Sequence, residues 1–405
     1  MTANNTHNWS GITYEELTPA QKGFLMKVIQ NPDKSFFLRG CAGSGKTVLA
    51  SHALSILRKT QNKQAGLLVY TKLLKKFIQD GFGDNGVSAD ITHFHQWFYR
   101  GKTKKDIFLI DECQDFQPEW INAVITHSTS QIWLGDENQQ LYNEDNQGPA
   151  FQALLSKFDE SHIETLDINY RNSPFVARFA AKFIQLTEID MARGLTIENK
   201  IENFMKPILK NTSKTSKAVN QPVVLIHGEN KMREIDAMAE IIKSIRNNKQ
   251  LQSKRIAIGH LRHDRLNAIE SEFRKRGLNP YRVTKEKAEL PDFSAPDTLI
   301  ISPIHSLKGL EFDFVFFPWS EEDQWADMQT YNNLLFVLFT RAKSRVYCSF
   351  SNPANSLVYQ VVKDDKDAEY YQMLPASDIL KNGNPVKPEK DIDKIIKKHF
   401  EEFNV

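Results

Sequence analysis

Basic residues are missing from one long part of this chain. Lysine and arginine account for 52 of the 405 residues, yet none occurs between Lys105 and Lys157. The gap contains the acid- and amide-rich stretch GDENQQLYNEDNQGPA, residues 135–150. Such a stretch suits the lining of a metal–nucleotide site, a surface that avoids nucleic acid, or an ordinary acidic face. By itself it does not distinguish the three.

Other absences exclude whole classes of protein. The three cysteines, Cys41, Cys113 and Cys348, are widely spaced and give neither a disulfide framework nor a metal-ligand pattern. No apolar run reaches the length of a membrane span, and the N-terminus MTANNTHNWS has neither the basic start nor the apolar core of an export signal. We therefore expect a cytoplasmic protein that does not enter a membrane.

The net charge of +2 is distributed unevenly along the chain. Residues 166–290 hold 24 basic and 14 acidic side chains, whereas residues 1–165 hold 16 and 18, and residues 291–405 hold 12 and 18. A basic middle block attracts phosphate backbones. Solvated helix faces explain the same charge equally well, so composition alone leaves nucleic-acid binding open.

Apolar runs alternate with helical periodicity along most of the chain, as in SFFLRG followed by TVLASHALSILRKT and AGLLVYT followed by KLLKKFIQD. This alternation predicts parallel sheets flanked by helices. We predict a first α/β lobe at residues 1–165, a second at 166–355 and a charged tail at 356–405. The tail stretch VKPEKDIDKIIKKHFEEF predicts a short amphipathic helix.

The segment GCAGSGKT, from Gly40 to Thr47, fits the phosphate-binding pattern G-x-x-x-x-G-K-[ST]. It follows a predicted strand and opens a predicted helix, which is the context that the motif requires. The glycines let backbone N–H groups turn inward around phosphates. We expect Lys46 to pair with the β and γ phosphates, and Thr47 to hold Mg²⁺ through its hydroxyl. The nucleotide-binding residues predicted from this loop are Gly40, Ala42, Gly43, Ser44, Gly45, Lys46 and Thr47.

A second acidic motif, IFLIDECQD, ends an apolar strand about 65 residues further on. Asp111 is placed to complete the Mg²⁺ shell, and Glu112 to orient or deprotonate an attacking water. An acidic pair at a strand end is often a surface turn. With the phosphate-binding loop upstream, the pair predicts an enzyme that hydrolyses ATP.

Together with these motifs, further segments in the same order resemble the UvrD/Rep branch of superfamily 1 helicases from about residue 17 to residue 350. The segments are LTPAQ, GCAGSGKT, DECQD, GDENQQLY, LDINYRNS, HSLKGLEF and FVLFTRAK. The resemblance implies two RecA-like parallel-sheet lobes with an ATP cleft between them. It also implies that ATP hydrolysis is coupled to lobe closure, because the arginines that face ATP come from the second lobe.

The resemblance assigns roles to particular residues. Gln21 corresponds to the glutamine that reads adenine, and Tyr170 stacks on the adenine. Glu311 contacts the ribose, and Gly309, two residues earlier, is also assigned to the nucleotide site. Gln139 senses the γ-phosphate. Arg171 and Arg341 are the arginines that neutralise charge during phosphoryl transfer, an effect of about 10³–10⁵ in rate. The catalytic set implied is Lys46, Glu112, Gln139, Arg171 and Arg341.

Nucleic-acid contacts are assigned by resemblance only. They are Tyr70, Thr71, His95, His305 and Lys308. An aromatic side chain at a strand end can stack on any base, worth about 1–3 kcal/mol. Phe94, Trp97 and Phe98 in the nearby segment HFHQWF are expected to be core residues instead. His93, His95 and Cys113 match no standard metal-site spacing.

Two departures from the family affect the predicted function. The gaps before DECQD and before HSLKGLEF are too short for the large inserted subdomains of UvrD and Rep. NEDNQG follows Tyr142 where the family has an aromatic residue and Arg-Gly-Ala that serve the DNA track.

Our leading interpretation is an ATP- and Mg²⁺-dependent translocase or helicase on single-stranded DNA with 3′ to 5′ polarity. The alternatives are a motor that tracks RNA and an ATPase switch subunit with little unwinding. Such a subunit would act in a nuclease, repair or anti-phage complex, with its partner bound through the tail.

Overall fold

The computed structural model describes residues 13–385 apart from residues 60, 83–89, 137–149, 187–190, 192–193, 210–222, 285–289, 294, 296, 322–327, 366–368 and 382–383. Its contacts divide into two compact units. The first unit is Met1–Tyr170 with Asp292–Ser294, and the second unit is Arg171–Pro291 with Ala295–Val405. Gln139, Tyr142 and the predicted C-terminal helix lie outside the described residues.

The first unit contains a six-stranded sheet in which every pairing is parallel. Its strands, in the order β3-β2-β4-β5-β1-β6, are β1 (Phe36–Gly40), β2 (Ala65–Val69), β3 (Ile91–His93), β4 (Lys105–Ile110), β5 (Ser128–Gly135) and β6 (Ile163–Leu166). The helices are Pro19–Gln30, Lys46–Lys59, Lys72–Phe82, Phe94–Arg100, Pro118–Thr126 and Ala150–Leu155.

Apolar side chains cover both faces of this sheet, as a parallel sheet flanked by helices requires. The strands β2 and β4 contribute Leu67, Leu68 and Leu109, none of which is exposed. Because all six strands are parallel, their carboxyl ends meet at one edge of the sheet. The strands β1, β5 and β4 are neighbours in that order. Gly40 is the last residue of β1, Gly135 is the last residue of β5, and Asp111 directly follows β4, so all three residues lie at this edge.

The second unit contains a seven-stranded parallel sheet. Its strands, in the order β13-β7-β12-β11-β8-β10-β9, are β7 (Val223–His227), β8 (Ile256–His260), β9 (Tyr281–Arg282), β10 (Leu299–Pro303), β11 (Phe312–Phe317), β12 (Ala342–Phe350) and β13 (Tyr371–Pro375). The helices are Pro174–Ala181, Ile197–Leu209, Lys231–Asn247, His263–Lys275, Met328–Phe339, Leu357–Gln360 and Ala376–Ile379. A small antiparallel pair, β14 (Leu380–Lys381) and β15 (Asn384–Pro385), follows.

Helix Lys231–Asn247 shows how the second core forms. Ile235, Met238, Ile242 and Ile245 recur every three or four residues and are almost fully buried. This spacing places them on one helix face, which packs against the sheet.

The two parallel α/β sheets confirm the predicted fold class. Among the described residues, the structure contains no helix with the length and apolar character that a bilayer crossing requires.

Candidate nucleotide site

The loop between β1 and helix Lys46–Lys59 adopts a backbone path that only glycine accommodates without strain. Gly43 and Gly45 have φ angles of 71° and 92°, in the region that other residues rarely adopt. A Cβ atom on Gly45 would also lie 2.7 Å from Nε2 of Gln21. The sequence pattern predicted this tight loop, and the structure places it at the carboxyl edge of the first sheet.

Lys46 and Ser44 are the buried polar side chains of the loop. The Lys46 ammonium donates to the carbonyl oxygens of Gly40 at 2.6 Å and Cys41 at 3.2 Å, which holds it over the loop. Ser44 is 1% exposed, and its Oγ has no hydrogen-bond partner within the described structure. A buried hydroxyl without a partner costs free energy, and a phosphate oxygen would remove that cost. The loop residues therefore fit a nucleotide phosphate.

Thr47 and Asp111 form a pair of oxygen ligands beside the loop. The Thr47 hydroxyl donates to Oδ2 of Asp111 at 2.7 Å, and Asp111 is 1% exposed. Burial, together with the negative charge of Glu112, raises the pKa of Asp111. A divalent cation here would relieve the same electrostatic cost, and oxygen ligands of this kind suit Mg²⁺. The residues therefore fit the Mg²⁺ site that the sequence predicts.

Glu112 lies directly after Asp111 in a left-handed conformation, with φ 56° and ψ 39°. A non-glycine residue at positive φ is uncommon and costs about 1–3 kcal/mol, and such strain clusters at functional sites. The Glu112 carboxylate accepts a hydrogen bond from Nε2 of Gln114 at 2.6 Å. The other end of that amide, Oε1, accepts from the backbone N–H of Asp136 at 3.2 Å. Gln114 thus connects the segments that follow β4 and β5.

Sequence reasoning gave Gln114 no role. It lies within the motif DECQD, so the available signal was an amide side chain two residues from the predicted base. Which groups it joins depends on β4 and β5 being adjacent, and strand adjacency is not visible in the sequence.

Gln21 and Tyr170, the predicted adenine contacts, both lie against the loop. The Gln21 side chain accepts from the backbone N–H of Thr18 at 2.9 Å and donates to the carbonyl of Ser44 at 3.0 Å. The backbone N–H of Tyr170 donates to the carbonyl of Gly43 at 2.9 Å, while the residue remains 39% exposed. Partial burial raises the pKa of the Tyr170 phenol, and the exposed part of the residue is open to a stacking base.

Arg171 and Glu311, assigned to the γ-phosphate and the ribose, are ion-paired with each other in the second unit. Nε of Arg171 donates to Oε2 of Glu311 at 3.1 Å, and the Lys343 ammonium lies 3.6 Å from Oε1. Burial alone would raise the pKa of Glu311, but the charges of Lys343, Arg171 and Arg255 outweigh it and lower the pKa to about 2. Glu311 therefore stays ionised and holds Arg171 in place.

Arg341 is 1% exposed, and its guanidinium donates to the carbonyl of Val337 at 3.0 Å and the hydroxyl of Thr340 at 3.3 Å. Arg341 and Glu311 each precede a strand, β12 and β11, and these two strands are paired. The structure therefore brings Arg171, Glu311 and Arg341 to the amino edge of the second sheet. Gly309, also predicted, has a φ of 81° in the turn before β11.

The predicted nucleic-acid residues fall into two groups. In the first unit, Tyr70 and His95 have ring centroids 5.6 Å apart and are both partly buried. The hydroxyl of Thr71, next to Tyr70, accepts from the backbone N–H of Leu74 and caps helix Lys72–Phe82. In the second unit, His305 is partly buried and Lys308 is 1% exposed.

The aromatic residues of HFHQWF pack as expected. Phe94 is fully buried and Trp97 is 4% exposed in one hydrophobic cluster, with Phe98 partly buried against it. Burial and the charge of neighbouring His95 lower the pKa of His93 to about 4, so this side chain is neutral at physiological pH. In the described part of the chain, no group of three or more His, Cys, Asp or Glu side chains is arranged to hold a metal.

Two protein-family models match the sequence. The viral superfamily 1 RNA helicase core domain matches residues 37–231. The UvrD-like helicase C-terminal domain matches residues 298–348. These matches confirm the resemblance to superfamily 1 helicases. A comparison with curated protein sequences gave no significant match.

Solved structures show the same fold. S. cerevisiae Dbp5 bound to RNA and ADP BeF3 matches with a TM-score of 0.56 and 12% identity, covering 95% of this chain and 94% of that chain. A variant of Dbp5 in the same kind of complex matches with a TM-score of 0.55 and 12% identity, covering 98% and 99%. At this identity the likeness shows fold alone, and the fold is a pair of RecA-like α/β domains.

Proposed function

We propose that this chain, which matches the model of a viral superfamily 1 RNA helicase core over residues 37–231, is an ATP-dependent translocase or helicase on single-stranded DNA. We further propose 3′ to 5′ polarity and coupling of hydrolysis to lobe closure. The observation that carries the proposal is the hydrogen bond from Thr47 to Asp111 beside the phosphate-binding loop. It joins the predicted Mg²⁺ ligands of two motifs that are 64 residues apart in sequence.

In the proposed reaction, Lys46 and the loop N–H groups bind the β and γ phosphates, and the ring of Tyr170 stacks on the adenine beside Gln21. Mg²⁺, held by Thr47 and Asp111, would neutralise phosphate charge. Glu112 accepts the proton of the water that attacks the γ-phosphorus, and Gln114 fixes the position of that carboxylate. Gln139 senses the γ-phosphate.

We propose that Arg171 and Arg341 neutralise the remaining negative charge that develops during phosphoryl transfer. The Glu311 carboxylate, which is ion-paired with Arg171, contacts the ribose. Tyr70, Thr71, His95, His305 and Lys308 contact the nucleic acid.

The test is the ATPase rate with and without single-stranded DNA, duplex DNA and RNA. The variant Lys46→Ala serves as the negative control, because it removes the phosphate-binding ammonium. We expect stimulation by single-stranded DNA in the wild type and none in the variant. If no nucleic acid stimulated the wild type, the motor proposal would fail.

RNA is the second candidate track. The family model that matches residues 37–231 is described as an RNA helicase core, and Dbp5 was solved with RNA. Competition between DNA and RNA oligomers of the same sequence, read out as ATPase stimulation, separates the tracks. Preferential stimulation by RNA would replace DNA as the substrate and leave the ATPase assignment intact.

A further inference from the structure

Tyr99 is the most exposed large hydrophobic side chain in the described part of the chain. It exposes 69% of its surface, whereas the other exposed tyrosines, Tyr14 and Tyr170, expose 38% and 39%. It lies in the last turn of helix Phe94–Arg100. The nearby Phe94 and Trp97 are buried in the core. Tyr99 is exposed, so core packing does not explain why this position has an aromatic side chain.

The ring of Tyr99 is supported from beneath by other aromatic rings. It lies parallel to the His95 ring, at 4°, with centroids 6.1 Å apart. The Phe98 ring meets it edge-on, at 89° and 5.0 Å, and His95 in turn meets the Trp120 ring edge-on at 5.0 Å. The contact between His95 and Tyr99 joins positions i and i+4 of one helix face. Tyr99 is therefore oriented by its neighbours and still open to solvent.

Basic residues follow Tyr99 directly in the sequence. The run RGKTKK, residues 100–105, is the last basic cluster before the long stretch without lysine or arginine. Lys105 is ion-paired with Asp90 at 3.1 Å. Arg100, Lys102 and Lys104 are exposed and make no ion pair among the described residues. The Lys102 ammonium lies 4.4 Å from the centroid of the Phe98 ring.

We propose that Tyr99, supported by His95, is a stacking site for one base of a single-stranded nucleic acid whose phosphates are attracted by Arg100, Lys102 and Lys104. An exposed aromatic face, followed in sequence by exposed cations that make no ion pair among the described residues, matches the two components of such a strand, a base and a phosphate. The inference rests on the proposed function and adds a contact that it does not include. It also assigns three exposed basic residues of the first unit, Arg100, Lys102 and Lys104, to the strand.

The first test measures the dissociation constant of the full chain for a fluorescent single-stranded oligomer by anisotropy. Tyr99→Ala is expected to raise it by about 5- to 150-fold, the range for loss of one stacked base. Tyr99→Phe keeps the ring and is expected to bind as the wild type does. Met232→Ala, which removes an exposed apolar side chain in the second unit, is the matched control and should change nothing.

The second test addresses the cations. Replacing Lys102 and Lys104 with alanine is expected to reduce the slope of log affinity against log salt by about 0.7 for each lost phosphate contact. An unchanged slope would remove these lysines from the site.

Three results would overturn the stacking site. They are an unchanged affinity in Tyr99→Ala, an equal loss in Tyr99→Phe, and an equal loss in Met232→Ala. An unchanged affinity in Tyr99→Ala would indicate that the exposed ring binds a protein partner instead of a base.

ATPase stimulation separates this inference from the proposed function. At saturating oligomer, Tyr99→Ala is expected to reach the wild-type rate and to need more oligomer for half-stimulation. If the wild type itself neither bound the oligomer nor was stimulated by it, the proposed function would fail together with this site. If the wild type did both and Tyr99→Ala behaved identically, only the stacking site would fail.

Discussion

A single amide side chain, Gln114, links the predicted catalytic base to the neighbouring strand of the first sheet. It is 1% exposed, donates to the Glu112 carboxylate and accepts from the backbone of Asp136. Because both ends of the amide are bonded, rotation of the Glu112 side chain would break a buried hydrogen bond. Gln114 is therefore a positioning residue for Glu112.

Gln114→Ala is expected to lower kcat for ATP by about 10- to 100-fold, since a hydrogen bond to a charged group contributes about 1.5–3 kcal/mol. KM for ATP should change little, because Gln114 does not touch the phosphate-binding loop in the described contacts. Steady-state ATPase kinetics measure both constants.

Gln131→Ala is the matched control for this variant. Gln131 is also a buried glutamine of the first unit, and it is bonded to Ser35 and Ser128. It lies in β5, four residues before the carboxyl end of that strand, and should affect stability without affecting kcat. Equal losses of kcat in the two variants would contradict a positioning role for Gln114.

At the scale of elements, a buried carboxyl group, Glu234, joins helix Lys231–Asn247 to β12. Glu234 is fully buried in the first turns of the helix and accepts from the Ser349 hydroxyl at 2.5 Å. Glu321 accepts from the backbone and hydroxyl of Ser351. Oε1 of Glu234 and Oε2 of Glu321 are buried and have no hydrogen-bond partner among the described residues. Burial, followed by the charge of Glu321, raises the pKa of Glu234 to about 8.

The proton held by Glu234 predicts that stability depends on pH. The unfolded chain releases this proton near pH 4.5, whereas the folded chain keeps it to about pH 8. Its contribution to the free energy of unfolding is fully present below about pH 4.5 and is lost as the pH rises towards 8, because the folded state binds the extra proton. Urea unfolding between pH 5 and pH 9 measures this decline.

Glu234→Gln should flatten the decline, because the glutamine side chain has no titrating proton. Glu240→Gln, on the same helix, removes a carboxylate that is ion-paired with Lys243 and should leave the pH dependence unchanged. A decline of the same size in Glu234→Gln and the wild type would assign the pH dependence to other groups.

At the scale of the whole molecule, the two compact units do not correspond to two continuous segments of the sequence. Asp292–Ser294 belongs by its contacts to the first unit, although the residues on both sides belong to the second. Phe293 is 1% exposed, meets the Phe77 ring edge-on at 5.3 Å and donates its backbone N–H to Asp80. Part of the first core is thus supplied by a distant segment.

Phe293→Ala is therefore expected to destabilise the first unit, by about 3–5 kcal/mol if the site behaves as an ordinary core position. Hydrogen–deuterium exchange should rise in helix Lys72–Phe82 and stay unchanged in helix Lys231–Asn247. Phe273→Ala, which removes a core ring of the second unit, should give the reverse pattern. Faster exchange in Lys231–Asn247 for Phe293→Ala would contradict the assignment of Phe293 to the first core.

Contiguous motifs were predictable from sequence because their function depends on local spacing. The run from Gly40 to Thr47 specifies a loop and a helix start within eight residues, and the structure shows both. The strand β13 was not predicted, since Tyr371–Pro375 lies at the edge of the sheet and its residues are exposed or only partly buried, which leaves a weak pattern. The roles of Gln114, Phe293 and Glu234 were missed for a related reason, because each acts through a partner that is distant in sequence.

The sequence by itself determined the fold class and the chemistry of the loop, because hydrophobic periodicity and glycine positions act through neighbours in the chain. Only the tertiary structure decided which strand ends meet. By pairing β4, β5 and β1 it brought Asp111 to Thr47 and Gln114 to Asp136. It also paired Arg171 with Glu311 and left Tyr99, which basic residues follow directly in the sequence, exposed. Side-chain partnership depends on strand order and packing, which sum many weak contacts over the whole chain and so leave no local pattern to detect.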